Sequence, residues 1–124
     1  MCRLLGVIAN KAVDLGFSFL EADTPFRNLG GEHPHGWGIG WYENGKACVF
    51  KEGRSTLQSR YLEGKAQDVR SHIIISHVRS ATTGGPSELN SHPFPFDKYI
   101  FAHNGTVNRV QLLALLEDDL RGAL

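Results

Sequence analysis

Short apolar runs separated by polar stretches bearing glycine and proline dominate this chain, and long regular periods are rare. Leu4 to Ala9, with Val7 and Ile8 at its centre, predicts a buried strand, which would hold Cys2 against the core. Val13 to Leu20 is densely apolar with mixed period and is read as a helix. Thr24 to Gly36 (TPFRNLGGEHPHG) carries two prolines and three glycines, which predicts a loop of functional length. Trp37 to Tyr42 predicts a strand, Asn44-Gly45 a tight turn whose residues accept positive φ, and Ala47 to Lys51 the returning strand. Ser55 to Asp68 has the leucine-spaced, polar look of a surface helix. His72 to Val78 (HIIISHV) is rich in β-branched residues, as a central strand should be. It runs into RSATTGGPSELNSHPFPF, a second loop dense in glycine, proline and hydroxyl groups. Tyr99 to Ala102 predicts a further strand that ends sharply at His103-Asn104-Gly105. From Val107 or Asn108 to Leu120, leucines at 112, 113, 115, 116 and 120 put a broad apolar face on a helix. No internal repeat or low-complexity segment interrupts this order.

At 124 residues the chain predicts one domain, residues 1–124, with a single core. Its 13 basic and 13 acidic residues balance, so there is no electrostatic footprint for nucleic acid or an anionic membrane. A small molecule is the expected partner. No stretch reaches the ~18 apolar residues of a membrane span, and the N-terminus lacks the basic flank and apolar segment of a secretory signal. A cytoplasmic location is therefore expected, with Cys2 and Cys48 as free thiols and Cys48 as a small buried hydrophobe. The acceptor pattern Asn104-Gly105-Thr106 is then a chance match.

The chemistry begins at MCRLLG. Removal of Met1 would leave Cys2 with a thiol and a free α-amine, a nucleophile and its base in one residue. Arg79, Thr82 and Thr83 in HVRSATTGG offer a guanidinium fork and hydroxyls suited to a carboxylate. Asn104 and Gly105 in HNG offer an amide donor and an unobstructed backbone N–H, the parts of an oxyanion hole. Together these are the components of acyl transfer from a small amino acid. Single elements carry less: Arg79 alone would be read as a surface ion-pair partner, and HNG alone as a turn. TTGGPS lacks the Gly-Lys-Ser/Thr of a phosphate-binding loop. His33 and His35 in HPH have no Cys or carboxylate ligands at a recognisable spacing, so no metal and no cofactor is expected.

Cys2, HVRSAT and HNG, in that order and separation, resemble the glutaminase domain of class II glutamine amidotransferases. MCRLLG, GWGIGWY after a proline-bearing loop, and SHPF before the HNG strand are most similar to the small stand-alone members, such as the γ-glutamyl hydrolase of ergothioneine biosynthesis. The resemblance implies an α+β, four-layer αββα N-terminal nucleophile hydrolase fold. It runs from residue 2 to about residue 117 and covers about the first half of such a domain. It implies Cys2 as nucleophile with its α-amine as base, Arg79 and Thr82 as the α-carboxylate site, and Asn104 and Gly105 as oxyanion donors. His77 and His92 are supporting residues in that reading, and Gly36 and Gly38 let a loop pass close behind the site. The family's aspartate for the substrate α-amino group has no counterpart here, since Asp118 and Asp119 fall too early. The implied reaction is hydrolysis of the γ-amide of glutamine, or of another γ-glutamyl conjugate, through a thioester. The alternative is a silent half-domain acting as a binding or assembly module. Open sheet edges would then invite a homo-oligomer.

Overall fold

The structure, a computed structural model, describes residues 1–116. Four antiparallel strands form the main sheet: β1 (Arg3–Val13), β2 (Trp37–Glu43), β3 (Lys46–Glu52) and β4 (Ser71–Val78), in the order β1-β4-β2-β3. A small hairpin of β5 (Phe94–Phe96) and β6 (Tyr99–Phe101) forms a second, two-stranded sheet. The helices are short, α1 (Leu62–Asp68) and α2 (Arg109–Ala114). The architecture is mixed α and β with antiparallel sheets.

Register decides which side chains share a face, because directly opposed residues of an antiparallel pair point the same way. Trp37 opposes Val78, Ile39 opposes Ser76, and Trp41 opposes Ile74. This inner face carries the core. Trp37, Ile39, Ile74 and Val78 meet Leu15, Phe19, Phe26, Leu62, Ala66 and Val69, all buried. Phe19 stacks on Phe26 at 4.9 Å and meets Trp37 edge-on at 6.4 Å. The indole N–H of Trp37 donates to Glu52 Oε2 at 2.9 Å, so the ring is buried without an orphaned donor.

The other parity of β2, on the outer face, begins with Gly38 and Gly40, and Gly36 stands just before the strand. Their missing side chains are filled by other parts of the chain. A Cβ at Gly36 would collide with Ser91 Oγ. One at Gly38 would collide with the His92 carbonyl oxygen and stand 2.9 Å from Lys51 Cγ. One at Gly40 would stand 2.8 Å from Ile100 and 2.9 Å from Pro93. Residues 91–93 and the β5-β6 hairpin therefore lie directly on the backbone of β2. This is the close approach for which glycine is suited, and the cis His92-Pro93 bond lies within it.

Most predicted strands and the Asn44-Gly45 turn are present, with Asn44 at φ 51° and Gly45 at φ 77°, but β1, expected to be buried, has no buried residue, because one of its faces is uncovered at Leu4 and Ile8. Four further readings differ, the first being that the predicted loop Thr24–Gly36 winds into a 3-10 helix over Phe26–Gly31. The helix over Ser55 to Asp68 divides into a 3-10 turn at Thr56–Gln58 and α1. The division occurs because Ser55 and Thr56 turn inward, donating to the Gly30 and Arg27 carbonyls at 2.8 and 2.6 Å. Val13 to Leu20 forms no α-helix, and only its second half is helical, as a short π-helix. The end of β1 takes Val13, and a single wide turn at Phe17–Glu21 follows, placed by the Leu15 N–H bonding to the Ala66 carbonyl at 2.8 Å. Strand β5 arises inside a predicted loop. The helix predicted to Leu120 is present over Arg109–Ala114, capped by Asn108 accepting from Gln111 N–H at 3.1 Å, and its predicted end lies outside the described residues.

Gly38→Ala is expected to destabilise the protein by about 1 to 3 kcal/mol, because the methyl must displace main chain and no flexible side-chain tip can absorb it. Gly45→Ala, where a Cβ meets open space, should cost about 1 kcal/mol from its positive φ alone. Denaturant titration of both variants checks the order.

Candidate active site

Cys2 stands just before β1, half-buried, beside the exit of β4, because β1 and β4 pair with Arg3 opposite Val78. The Ser80 N–H donates to Cys2 Sγ at 3.3 Å, and the Cys2 thiol points back at the Ser80 carbonyl at 3.6 Å. Asn104 Nδ2 donates to the Cys2 carbonyl at 3.1 Å, so the HNG turn is tied to the main chain of the proposed nucleophile. Cys2 lines a cavity of about 330 Å³ together with Arg79, Thr82, Thr83, His77, His92, His103 and Gly105. That volume lies in the range of small-molecule sites. An adjoining cavity of about 170 Å³ shares Cys2, Ser80, Thr82 and Gly105 and adds Met1 and Asn104. All five residues singled out in the sequence, Cys2, Arg79, Thr82, Asn104 and Gly105, thus border one of these two spaces.

Arg79 is not a free fork. It is 8% exposed, and its guanidinium donates to the carbonyls of Thr83 at 2.7 Å, Gly84 at 3.2 Å and Gly85 at 2.9 Å. Three of its five N–H groups thus hold the following loop in a curl around the charge. Gly84 sits in that curl at φ +72°, and Gly105 at the HNG turn has φ +140°, both conformations that glycine adopts readily. A Cβ on Gly105 would meet only His103 Nδ1 at 4.0 Å, so backbone conformation and not space is the reason for glycine there.

Behind the cavity three imidazoles lie together. His77 stacks on His92 with ring centroids 4.4 Å apart, and His92 lies 4.9 Å from His103. The His103 N–H donates to His92 Nδ1 at 3.2 Å. His77 opposes Gly38 and Leu4 in the sheet and is fully buried, with no hydrogen bond to either ring nitrogen. Burial lowers its pKa to about 4, against a smaller opposing influence from Asn104 and the His103 backbone, which lie near without reaching hydrogen-bond geometry. Burial likewise lowers His92 to about 4, with His77, His103, Arg79 and Lys51 adding to the effect. Both rings are therefore neutral at neutral pH.

The two histidines of HPH separate. His33 is buried without a hydrogen bond to its ring. Burial, assisted by Arg3 and the N-terminal amine, lowers its pKa, while Glu32 opposes this. His35 is half-buried, and its Nδ1 accepts the Ala81 N–H at 2.9 Å. Among the described residues no group of three or more His, Cys, Asp or Glu side chains is placed to hold a metal ion. Cys48 is half-buried on β3, less enclosed than expected, and both cysteines are free. Sequence reasoning missed the Ser80 N–H and the His35 acceptor. A backbone donor leaves no residue-type signal, but the glycine parity of GWGIG opposite HIIISHV does forecast a close approach over His77.

Residues 1–117 match the family described as class-II glutamine amidotransferases. The chain is 38% identical over 112 residues to protein MJ1515 of Methanocaldococcus jannaschii, covering 86% of this chain and 30% of that one. It is 37% identical over 114 residues to the putative glutamine amidotransferase YafJ of Escherichia coli, covering 85% and 43%. It is 34% identical over 80 residues to the gamma-glutamyl-hercynylcysteine sulfoxide hydrolase of Mycobacterium tuberculosis, covering 64% and 34%. The chain thus spans less than half the length of each of these relatives.

The neutral histidines make stability fall with acid. Unfolded, each titrates near its ordinary 6.5; folded, His77 and His92 titrate near 4. Below 6.5 the unfolded chain binds protons that the folded one refuses, so stability is full above 6.5, declines as pH falls and levels off below 4. His77 alone contributes a loss of roughly 3 kcal/mol across that window. Urea midpoints measured from pH 7 to 4 should show the decline, and His77→Phe should make it shallower while His92 keeps its share.

Proposed function

Because the chain belongs to the class-II glutamine amidotransferase family, we propose that it hydrolyses the γ-amide of glutamine or of a γ-glutamyl conjugate through a thioester on Cys2. The observation that carries this reading is the meeting of Cys2 Sγ, Arg79, Thr82 and Gly105 around one cavity of about 330 Å³. The name of the mycobacterial relative, a γ-glutamyl hydrolase, supports the wider substrate class.

In this reading Met1 is removed and the free α-amine of Cys2 takes the thiol proton. While Met1 remains, that nitrogen is an amide and accepts no proton. The α-carboxylate docks against the two N–H groups of Arg79 left over from its loop carbonyls, with the Thr82 hydroxyl beside it. The sulfur attacks the γ-carbonyl carbon, a C–S bond forms, and the carbonyl π electrons move onto oxygen. Asn104 Nδ2–H and Gly105 N–H stabilise that oxyanion. Collapse breaks the C–N bond, and the amine leaves with the proton held by the α-amine. Water then adds to the thioester, and loss of the thiol releases the γ-carboxylate and restores Cys2.

The four-layer αββα fold belongs to the same proposal. It is supported by the outer face of β1 and β4, where Leu4, Ile8 and Ile73 stand 41%, 87% and 46% exposed, an apolar surface suited to a second sheet or to a second copy of the chain. A cytoplasmic setting belongs to it too, and fits two free thiols. No described helix is long and apolar enough to cross a membrane.

Cys2→Ala should abolish turnover while the far-ultraviolet spectrum stays unchanged. Arg79→Lys should raise KM more than it lowers kcat, because an ammonium has too few donors to hold the Thr83, Gly84 and Gly85 carbonyls and meet the carboxylate as well. Intact mass after exposure to a glutamine-analogue diazoketone tests the nucleophile directly. One adduct, placed on Cys2 by peptide mass spectrometry in a chain lacking Met1, supports the reading, and a chain lacking Met1 that takes none on Cys2 rejects it.

A further inference from the structure

The HPH motif has no place in the mechanism above, yet its second histidine lies at the junction of the two strands that carry the site. The β2-β4 ladder, whose last pair is Trp37 with Val78, continues past both strand ends. The Arg79 N–H donates to the Gly36 carbonyl at 2.8 Å, and the His35 N–H donates to the Arg79 carbonyl at 3.1 Å. The final rung is made by a side chain, as the Ala81 N–H donates to His35 Nδ1 at 2.9 Å. Ser80 lies between these rungs, and its own N–H is the donor to Cys2 Sγ at 3.3 Å.

We infer that His35 is a positioning residue for the nucleophile, its Nδ1 acting as the acceptor that fixes residues 79–81 so that the Ser80 N–H stays aimed at the Cys2 sulfur. The role in turnover rests on the Proposed function; the placement of the sulfur does not. A backbone N–H can only donate, so Nδ1 must carry no proton and Nε2 must carry one. The two main-chain rungs use no side-chain atom of residue 35 and are kept by leucine or asparagine. Only the rung on the far side of Ser80 depends on this side chain, and without it Ser80 is tethered on one side and the Ala81 N–H is left unpaired. A hydrogen bond to an anionic sulfur is charge-assisted and sensitive to alignment, so a swing of Ser80 is felt at Cys2.

The test compares His35→Leu with His35→Asn in the full chain. Asparagine places its amide oxygen about where Nδ1 stands and keeps the rung, whereas leucine removes it. Brief iodoacetamide labelling followed by peptide mass spectrometry gives the ratio of labelling at Cys2 to labelling at Cys48. Cys48 lies on β3, remote from the rung, and serves as the internal standard. His35→Leu is expected to lower the ratio about tenfold, and His35→Asn to hold it within about threefold of wild type. With a γ-glutamyl amide as substrate, kcat should follow the same pattern while KM changes little. Equal ratios in all three proteins overturn the inference, as does an equal fall in both variants. Should His35→Leu not fold, the imidazole ¹⁵N spectrum of the unsubstituted chain decides. An unprotonated Nδ1 on His35 upholds the inference, and a protonated one overturns it. If the unsubstituted chain cleaves no γ-glutamyl amide, the Proposed function fails while the labelling ratio still reads the rung.

Discussion

Three positions without side chains, two on the outer face of β2 and one just before it, determine where the rest of the site can be. Gly36, Gly38 and Gly40 let Ser91, the His92 carbonyl and Pro93 rest on the strand backbone. That approach sets the His92 ring on His77, which faces outward from β4 opposite Gly38. His92 in turn accepts the His103 N–H, and the next residue, Asn104, reaches the carbonyl of Cys2. A side chain at position 38 would therefore act on the HNG turn through three successive contacts, although it touches none of its atoms.

The same strand serves the other side of the sheet through its alternate residues. Trp37 and Ile39 are fully buried against Phe19, Phe26 and Leu62, and an aromatic set of this size supplies a large share of the burial available to so small a core. The period of two along GWGIGW thus separates two tasks. Apolar bulk anchors the sheet inward, and absence of bulk admits the loops of the candidate site outward. The geometry at Cys2 is held to a rigid element because β2 is fixed on its inner face while its outer face is left bare.

Much of this was legible because strands announce themselves by alternation and β-branching. HIIISHV and the Asn-Gly hairpin are such signals. What was not legible depended on tertiary partners. Ser55 and Thr56 have ordinary helix-edge propensities, but the carbonyls of Arg27 and Gly30 draw them inward and divide the expected helix. Strand β5 is three residues with a proline at its centre, too short and too irregular for any periodic signal. At the candidate site, residue types with strong chemistry, a cysteine, an arginine and an Asn-Gly pair, marked segments that the fold brings to the same two cavities. The burial of Arg79 by its own loop carbonyls and the donation from Ser80 to sulfur had no such marker, because main-chain atoms carry no residue identity.

Electrostatically, the cavity is organised around a single permanent charge. Among the described residues, no carboxylate lines it. Two of its three histidines are held neutral, and Arg79 itself contributes to keeping them so. Were His77 and His92 protonated at neutral pH, three cations would crowd one buried space, and the fold would have to offset their repulsion. With the rings neutral, Arg79 carries its charge spread over three carbonyl dipoles, and no carboxylate among the described residues lines the cavity to cancel it. A positive field of that kind favours every anion of the proposed reaction: the sulfur before attack, the oxygen after it and the carboxylate of the substrate throughout. The imidazole stack therefore matters to the chemistry through the charge it declines to carry.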